Sequence, residues 1–453
     1  MNIRWTVTVG AFVGIALGIG VARHGVPGLF AQSTASWTPA VSIIASPAAP
    51  NAAEPQLTVS NRGVLLSWIE HTGTTTSLRF AERTVAGWTQ PRSVSSGDDW
   101  SINAIDVPSV LRLSNGTLVA QWLQKSGAGM HANDVRLSYS KDDGRTWAPS
   151  FTPYSDRAPR ERLFASLFEL PSATLGLIWL NGGAVSTGTS NARSATGNQH
   201  QGAEHGREHG AGHQGQQGHE GPAGAMGMAM GDMSLRFASF DGAWKQTAEM
   251  PIDPRVCECC STAAVVTSEG VLATYRNRSD DEIRDIYVSR LLQGRWSEPS
   301  VVHADNWRIP ACPINGPALA ANGRNVAIAW YTVKDDQGHA YVAFSSDAGR
   351  RFTTPTRLDD TASTGRVDIE LLPDASALAT WVEVADGRSQ FRARRVARDG
   401  TRSPAVTIAT LAGGRTGGVP RISRSGDELV FAWTEASGGA SQVRTAIARV
   451  PGR

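Results

Sequence analysis

The feature that most constrains the fold is an apolar stretch, with an aromatic residue near its end, that recurs seven times. The intervals between successive aromatic residues are 54, 57, 96, 55, 51 and 52 residues, so the third repeat carries an insertion. A period of this length indicates a chain built from repeated supersecondary units. The aromatic residues are Trp68, Trp122, Trp179, Tyr275, Trp330, Trp381 and Trp433.

Each repeat contains several short segments with the pattern of β-strands. One segment precedes the aromatic strand, an alternating segment follows it, and in the first six repeats a turn then leads to a short segment such as Trp88–Pro91. Four short strands per repeat are typical of the blades of a β-propeller. The abundance of glycine (47) and proline (23) agrees with an all-β fold.

An N-terminal segment has the pattern of the strand that the last repeat lacks. The seventh repeat ends at Arg453 without a fourth strand, and residues 37–41 have the pattern of the missing strand. Closing the ring in this way removes an open sheet edge. We therefore predict a single β-propeller over residues 35–453, seven-bladed by repeat count, or six-bladed if one repeat is degenerate, with the ring closed by an N-terminal strand.

The first 31 residues have the pattern of a targeting segment. Arg4 precedes the uncharged, mainly apolar run Thr6–Val21, which is shorter than the roughly 20 residues that span a bilayer. We expect a signal peptide, or an uncleaved N-terminal anchor, and a periplasmic or secreted protein. The net charge of +2 does not indicate a nucleic-acid partner. We expect a monomer.

Two turns share the pattern S-x-D-x-G-x-T-W, called the Asp box. The first match is complete, and the second has Arg and Phe in place of Thr and Trp. Serine and aspartate side chains can bond the turn amides, and the glycine can take a positive φ, so we assign these turns a structural role. The residues are Ser140, Asp142, Gly144 and Trp147, then Ser345, Asp347, Gly349 and Phe352.

The Asp boxes and the blades around them resemble the bacterial neuraminidase repeat of the sialidase-like β-propeller family. The segments 257–284 and 307–316 are similar to an exported bacterial branch of that family. The resemblance implies an active site on the face of the blade-to-blade connections, where three arginines, a Tyr–Glu pair and an aspartate would act on a sialic acid. Residues 307–310 (WRIP) resemble the arginine motif of such enzymes but fall in the wrong blade, so neither the arginine triad nor the Tyr–Glu pair is identifiable.

The order of strands in a blade gathers the unusual residues on that same face. Cys257, Cys259 and Cys260 lie between blades three and four, and Cys312 lies between blades four and five. In an exported protein, four cysteines indicate disulfides, here one joining Cys312 to one of the other three. The alternative is a soft-metal site that uses the thiolates.

The insertion in blade three, residues 184–233, is rich in histidine and methionine. Imidazole suits Cu(II), Ni(II) and Zn(II) whereas thioethers suit Cu(I), so the combination favours copper, with a solvated, disordered loop as the alternative. The candidate ligands are His200, His205, His209, His213, His219, Met226, Met228, Met230 and Met233.

A cluster of charges follows the aromatic strand of blade four. Arg276, Arg278 and Arg284 either form ion pairs within this loop or bind a small anionic or glycan ligand. The hypothesis that combines these features is an exported metal-binding protein, with copper as the metal, or a ligand-binding protein. The alternatives are an exo-sialidase-type glycoside hydrolase and a scaffold that docks an exported protein partner.

Overall fold

The structure is a computed structural model that describes residues 37, 39–127, 131–184, 233–411 and 418–450. These residues all belong to one compact unit, Thr34–Arg453. They form seven small antiparallel sheets. Within the described ranges, no helix is long and apolar enough to cross a membrane.

The first half of the ring contains the closing strand and blades one to three. In chain order the elements are β1 (Ser42–Ile44); β2 (Ala52–Ser60), β3 (Gly63–Thr72), β4 (Thr75–Thr84), β5 (Gly87–Trp88) and β6 (Arg92–Gly97) of blade one; β7 (Ser109–Arg112), β8 (Leu118–Lys125) and β9 (Asn133–Ser140) of blade two; and β10 (Arg160–Leu170), the 3-10 turn Pro171–Ala173, β11 (Thr174–Ala184), β12 (Met233–Phe240) and β13 (Gln246–Val256) of blade three.

The second half contains blades four to seven. The strands are β14 (Ala263–Thr267), β15 (Gly270–Arg276), β16 (Ile286–Leu292), β17 (Arg295–Trp296) and β18 (Ser300–Val301) of blade four; β19 (Ala318–Asn322), β20 (Asn325–Lys334), β21 (Gln337–Ser345) and β22 (Thr356–Arg357) of blade five; β23 (Ala362–Leu371), β24 (Ala377–Ala385), β25 (Arg388–Val396) and β26 (Val406–Leu411) of blade six; and β27 (Arg421–Ser425), β28 (Glu428–Ser437) and β29 (Ala440–Arg449) of blade seven.

The ring is closed by the N-terminal strand, which confirms the prediction and the count of seven blades. β1 pairs with β29, with Ser42 opposite Ile447. The strand lies slightly later than predicted, because Trp37 is instead buried and its indole N–H donates to the carbonyl of Arg449 at 3.4 Å. Both chain ends therefore stabilise the same blade.

The apolar core lies between the faces of neighbouring blades. The repeated aromatic residue is on the second strand of every blade and is buried in all seven. The core around Trp381 contains side chains of blades five and six, and the core around Trp68 joins blade one to blade seven. Because each blade buries both of its faces, the repeat folds only as part of the ring.

The Asp boxes have the predicted structural role. In the first, the amide of Gly144 donates to the Ser140 hydroxyl at 2.8 Å, and the amide of Thr146 donates to Asp142 at 2.9 Å. These hydrogen bonds, led by the one from the Thr146 amide, hold the pKa of Asp142 well below its usual range. Gly144 has a φ of +80° and Trp147 packs edge-on against Phe80. The first Asp box thus has the hydrogen bonds, the positive φ and the aromatic packing that its pattern predicts.

Candidate metal centre

The connection from β13 to β14 carries three cysteines and is held between two blades. The amide of Cys257 donates to the carbonyl of Arg276 on β15 at 2.9 Å. At the other end of the connection, the Thr262 hydroxyl donates to the carbonyl of Phe164 on β10 at 3.0 Å. Between these two anchors the backbone forms a tight turn at residues 258 and 259, which directs the cysteine side chains toward one another.

The three thiols of this turn form a compact cluster. The Sγ of Cys257 lies 2.9 Å from that of Cys260 and 3.8 Å from that of Cys259. All three sulfur atoms lie within 4.8 Å of one another. Cys257 and Cys260 are buried and Cys259 is half-buried. Cys312 is exposed, and the nearby thiol of Cys259 lowers the pKa of the Cys312 thiol.

The predicted disulfide is not formed, since all four cysteines are free. The turn brings Cys257 closest to Cys260, three residues later in the chain, and Cys312 lies near the cluster at Cys259. This arrangement agrees with the prediction that the cysteine-bearing connections meet on one face of the propeller.

The cluster favours a single ionised sulfur at Cys257. Burial opposes ionisation, but hydrogen bonds from Cys259 and Cys260, together with the charge of Arg276, lower the pKa of the Cys257 thiol well below its usual value. Burial raises the pKa of Cys260, and a hydrogen bond from Cys259 lowers that of Cys312.

Arg284 connects the cysteine turn to the loop between β15 and β16. Its guanidinium lies 3.4 Å from the Sγ of Cys257 and 3.0 Å from a carboxylate oxygen of Glu258. It also donates to Glu282 at 2.9 Å. Arg278 binds Glu282 at 2.6 Å and lies 3.5 Å from Glu258. The thiols are therefore bordered by an ion-pair network in which cations and carboxylates alternate.

Arg276 has a different environment from the other two arginines. Its guanidinium is buried and donates to the carbonyls of Arg284 and Tyr331 at 2.6 Å and of Asn315 at 3.0 Å. It also lies 5.0 Å from the centroid of the Trp307 ring. An anion would have to compete with these protein partners, so the role of the three arginines in ligand binding stays a prediction.

The histidine and methionine ligands predicted in the insertion fall almost entirely outside the described residues. These are His200, His205, His209, His213, His219, Met226, Met228 and Met230. Met233 is described: it begins β12 and is buried in the apolar core that joins blades two to four.

Sequence reasoning missed the two carboxylates of the network. Glu258 separates two of the cysteines and is 8% exposed. Glu282 lies four residues after Arg278, a spacing at which a loop can form a local ion pair. The alternation of charge along residues 276–285 indicated ion pairs, but it did not indicate that one arginine would also contact a cysteine.

A second polar site lies near the propeller axis, in a cavity of about 360 Å³ lined by first strands of the blades. Burial raises the pKa of Asp106 to about 7 and that of Glu370 to about 8, and both residues line the cavity. Burial, with the nearby charge of Asp106, raises the pKa of Glu54 to about 8. No tyrosine is among the described residues that line the cavity, so it does not supply a Tyr–Glu pair.

No protein-family model matches this chain, and no curated protein matches it in sequence. Solved structures similar to it include a protein of unknown function from Dyadobacter fermentans (13% identity, 89% of this chain and 95% of that chain, TM-score 0.47). Another is the NanB sialidase of Streptococcus pneumoniae (9% identity, 85% of this chain and 83% of that chain, TM-score 0.45). A third is the GH93 α-L-arabinofuranosidase of Fusarium graminearum (13% identity, 78% of this chain and 95% of that chain, TM-score 0.47). Identities this low transfer no activity to this chain.

Proposed function

We propose that this protein binds a soft metal ion, Cu(I), in the cysteine cluster between blades three and four, and that it does so outside the cytoplasm. The observation that carries the proposal is the convergence of three thiol sulfurs within 4.8 Å of one another, with a fourth thiol next to them. Thiolates are the ligands that select Cu(I) and Zn(II) among the common metals.

The charges around the cluster support Cu(I). Among the five nearest charged side chains, Arg276, Arg278 and Arg284 contribute three positive charges and Glu258 and Glu282 two negative ones, so these five sum to one positive charge. Cu(I) held by two thiolates has a net charge of −1 and neutralises the site. Zn(II) held by four thiolates would leave a net negative charge, which is costly where the groups are buried.

The distances between the cysteine sulfurs can be compared with those that a metal site requires. A tetrahedral zinc site with Zn–S bonds of about 2.3 Å places its sulfurs about 3.8 Å apart. The 3.8 Å between Cys257 and Cys259 fits that spacing, but the 2.9 Å between Cys257 and Cys260 is much shorter. Cys257 and Cys260 would therefore have to move apart to bind either metal through both sulfurs.

The exposures of the cysteines define a route for the metal. Cys312 is exposed, Cys259 is half-buried, and Cys257 and Cys260 are buried. Cu(I) delivered from solvent would meet Cys312 first and pass to Cys257 by exchange of one thiolate ligand at a time. The predicted copper ligands of the insertion would add a capture step, which remains a prediction.

The test is an anaerobic Cu(I) titration of the reduced protein in competition with a chromophoric Cu(I) chelator. We expect one tightly held Cu(I), and we expect the C257S/C260S variant to bind it about 100-fold more weakly. C312S is the matched control, because it removes an exposed thiol and should slow loading more than it weakens affinity. Deletion of residues 198–232, which leaves the buried Met233 of β12 in place, separates the contribution of the insertion.

The proposal fails if C257S/C260S, shown by tryptophan fluorescence to be folded, retains wild-type affinity. It also fails if stoichiometric Zn(II) displaces the bound Cu(I), because the site would then be a zinc site.

A further inference from the structure

The four cysteines reach from solvent to the interior, with Cys312 outermost and the other three in one compact cluster. Cys312 is exposed and lies next to Cys259, which is half-buried. Cys259 lies 3.8 Å from Cys257, and Cys257 lies 2.9 Å from Cys260. Each thiol is thus next to the following one, and we name these four residues the thiol relay.

The inner end of the thiol relay has the sequence C-x-x-C. Cys257 and Cys260 are each 1% exposed, so a dissolved disulfide has no direct access to either sulfur. Cys312, on a different blade-to-blade connection, is the only one of the four that is exposed. An oxidant from solvent therefore meets Cys312 first, while the closest pair of sulfurs is buried.

A positive charge accompanies the inner pair. The guanidinium of Arg284 lies 3.4 Å from the Sγ of Cys257 and is itself held by Glu258 and Glu282. A cation fixed beside a sulfur stabilises a thiolate there, both as an attacking group and as a leaving group. Arg284 is a positioning residue in this scheme.

We propose that the thiol relay undergoes thiol–disulfide exchange, taking oxidising equivalents from a low-molecular-weight disulfide at Cys312 and storing them as a Cys257–Cys260 disulfide. The inference uses the same sulfurs as the proposed metal site but does not require a metal. Its substrate class is a small, soluble disulfide of the glutathione type, RSSR.

The first two steps take place at the outer end of the relay. The thiolate of Cys312 attacks one sulfur of RSSR, the S–S bond of RSSR breaks, and RS⁻ leaves with the proton lost by Cys312 to give RSH. Cys259 then attacks the Cys312 sulfur of the mixed disulfide. The second RS⁻ leaves, takes the proton of Cys259, and a Cys259–Cys312 disulfide forms.

The next two steps move the disulfide inward without any further oxidant. Cys257 attacks the sulfur of Cys259 and releases Cys312 as a thiol. Cys260 then attacks the sulfur of Cys257 and releases Cys259 as a thiol. The sum is RSSR plus two protein thiols giving two RSH and one Cys257–Cys260 disulfide, a two-electron exchange.

The test uses the full protein, freed of metal by a chelator and treated with oxidised glutathione under nitrogen. We expect the four thiols to fall to two, with peptide mapping locating the disulfide between Cys257 and Cys260. The C312S variant, which changes only an exposed side chain, should oxidise at least about tenfold more slowly and reach the same product. The C260S variant should accumulate a disulfide that involves Cys257 or Cys259.

Oxidation of C312S at the wild-type rate would overturn the relay, and so would a final disulfide between Cys259 and Cys312. These results are independent of the copper titration, which is done on the reduced protein. Loss of copper binding with intact exchange refutes only the metal site, and the reverse outcome refutes only the exchange.

Discussion

Removing the Arg284 side chain should destabilise the protein strongly, because Arg284 and Glu258 form a buried ion pair. Two of its nitrogens approach the Glu258 carboxylate at 3.0 and 3.4 Å, and the two side chains are 2% and 9% exposed. Breaking a buried pair from one side costs about 3–5 kcal/mol, since the remaining charge is left unpaired. Arg278, which lies 3.5 Å from the same carboxylate, retains part of the pairing. We therefore expect Arg284→Met to cost about 3 kcal/mol.

The assay is urea unfolding followed by tryptophan fluorescence, with Arg278→Met as the matched control. Arg278 contacts the same carboxylate but is 20% exposed, so its loss should cost about 1 kcal/mol or less. Adding Glu258→Gln to Arg284→Met should restore part of the stability, because the unpaired charge is removed. The reasoning is refuted if Arg284→Met costs no more than the control, or if the double variant shows no recovery.

Two further outcomes follow from the fold. Glu54 is 5% exposed and its pKa is raised to about 8, so the stability due to its neutral form is full below pH 4.5 and is lost as the pH rises toward 8. Glu54→Gln should therefore remove a decline on the order of 4–5 kcal/mol between those limits, measured as unfolding free energy against pH. An unchanged slope contradicts this. Asp142→Ala should lower the melting temperature by roughly 2 °C, because the Thr146 amide loses its hydrogen-bond acceptor. Lys141→Ala, in the same turn, is the control and should not lower it. Equal shifts in the two variants would rule out the hydrogen bond as the cause.

The blades were predictable because their signal is local. The aromatic strand, the alternating strand after it and the Asp-box turn each depend on residues close together in sequence, and a period near fifty residues repeats them. The departures from the predicted strand pattern are also confined to short segments. In blade two a single bridge between Leu137 and Phe151 takes the place of a fourth strand, and Trp37 is buried outside the closing strand.

For the candidate site, the sequence could predict only its position in the fold, not its contacts. Strand order placed the cysteine-bearing connections on one face, but it could not show which sulfurs would touch. Nor could the sequence show that Arg276 would turn inward, because its acceptors on Asn315 and Tyr331 are 39 and 55 residues away. Contacts of that range depend on how neighbouring blades pack.

The net charge of the cluster ranks its proposed states, namely reduced, copper-bound and disulfide, by their electrostatic free energy. A thiolate at Cys257 would bring the sum of its charge and those of the three arginines and two glutamates named above to zero. Cu(I) held by two thiolates keeps it neutral, because the metal replaces one proton. A Cys257–Cys260 disulfide carries no charge, so Arg284 loses the thiolate beside it and the site gains one uncompensated positive charge. Electrostatics therefore favours the reduced and the copper-bound states, and makes the disulfide the state that gives up its oxidising equivalents most readily.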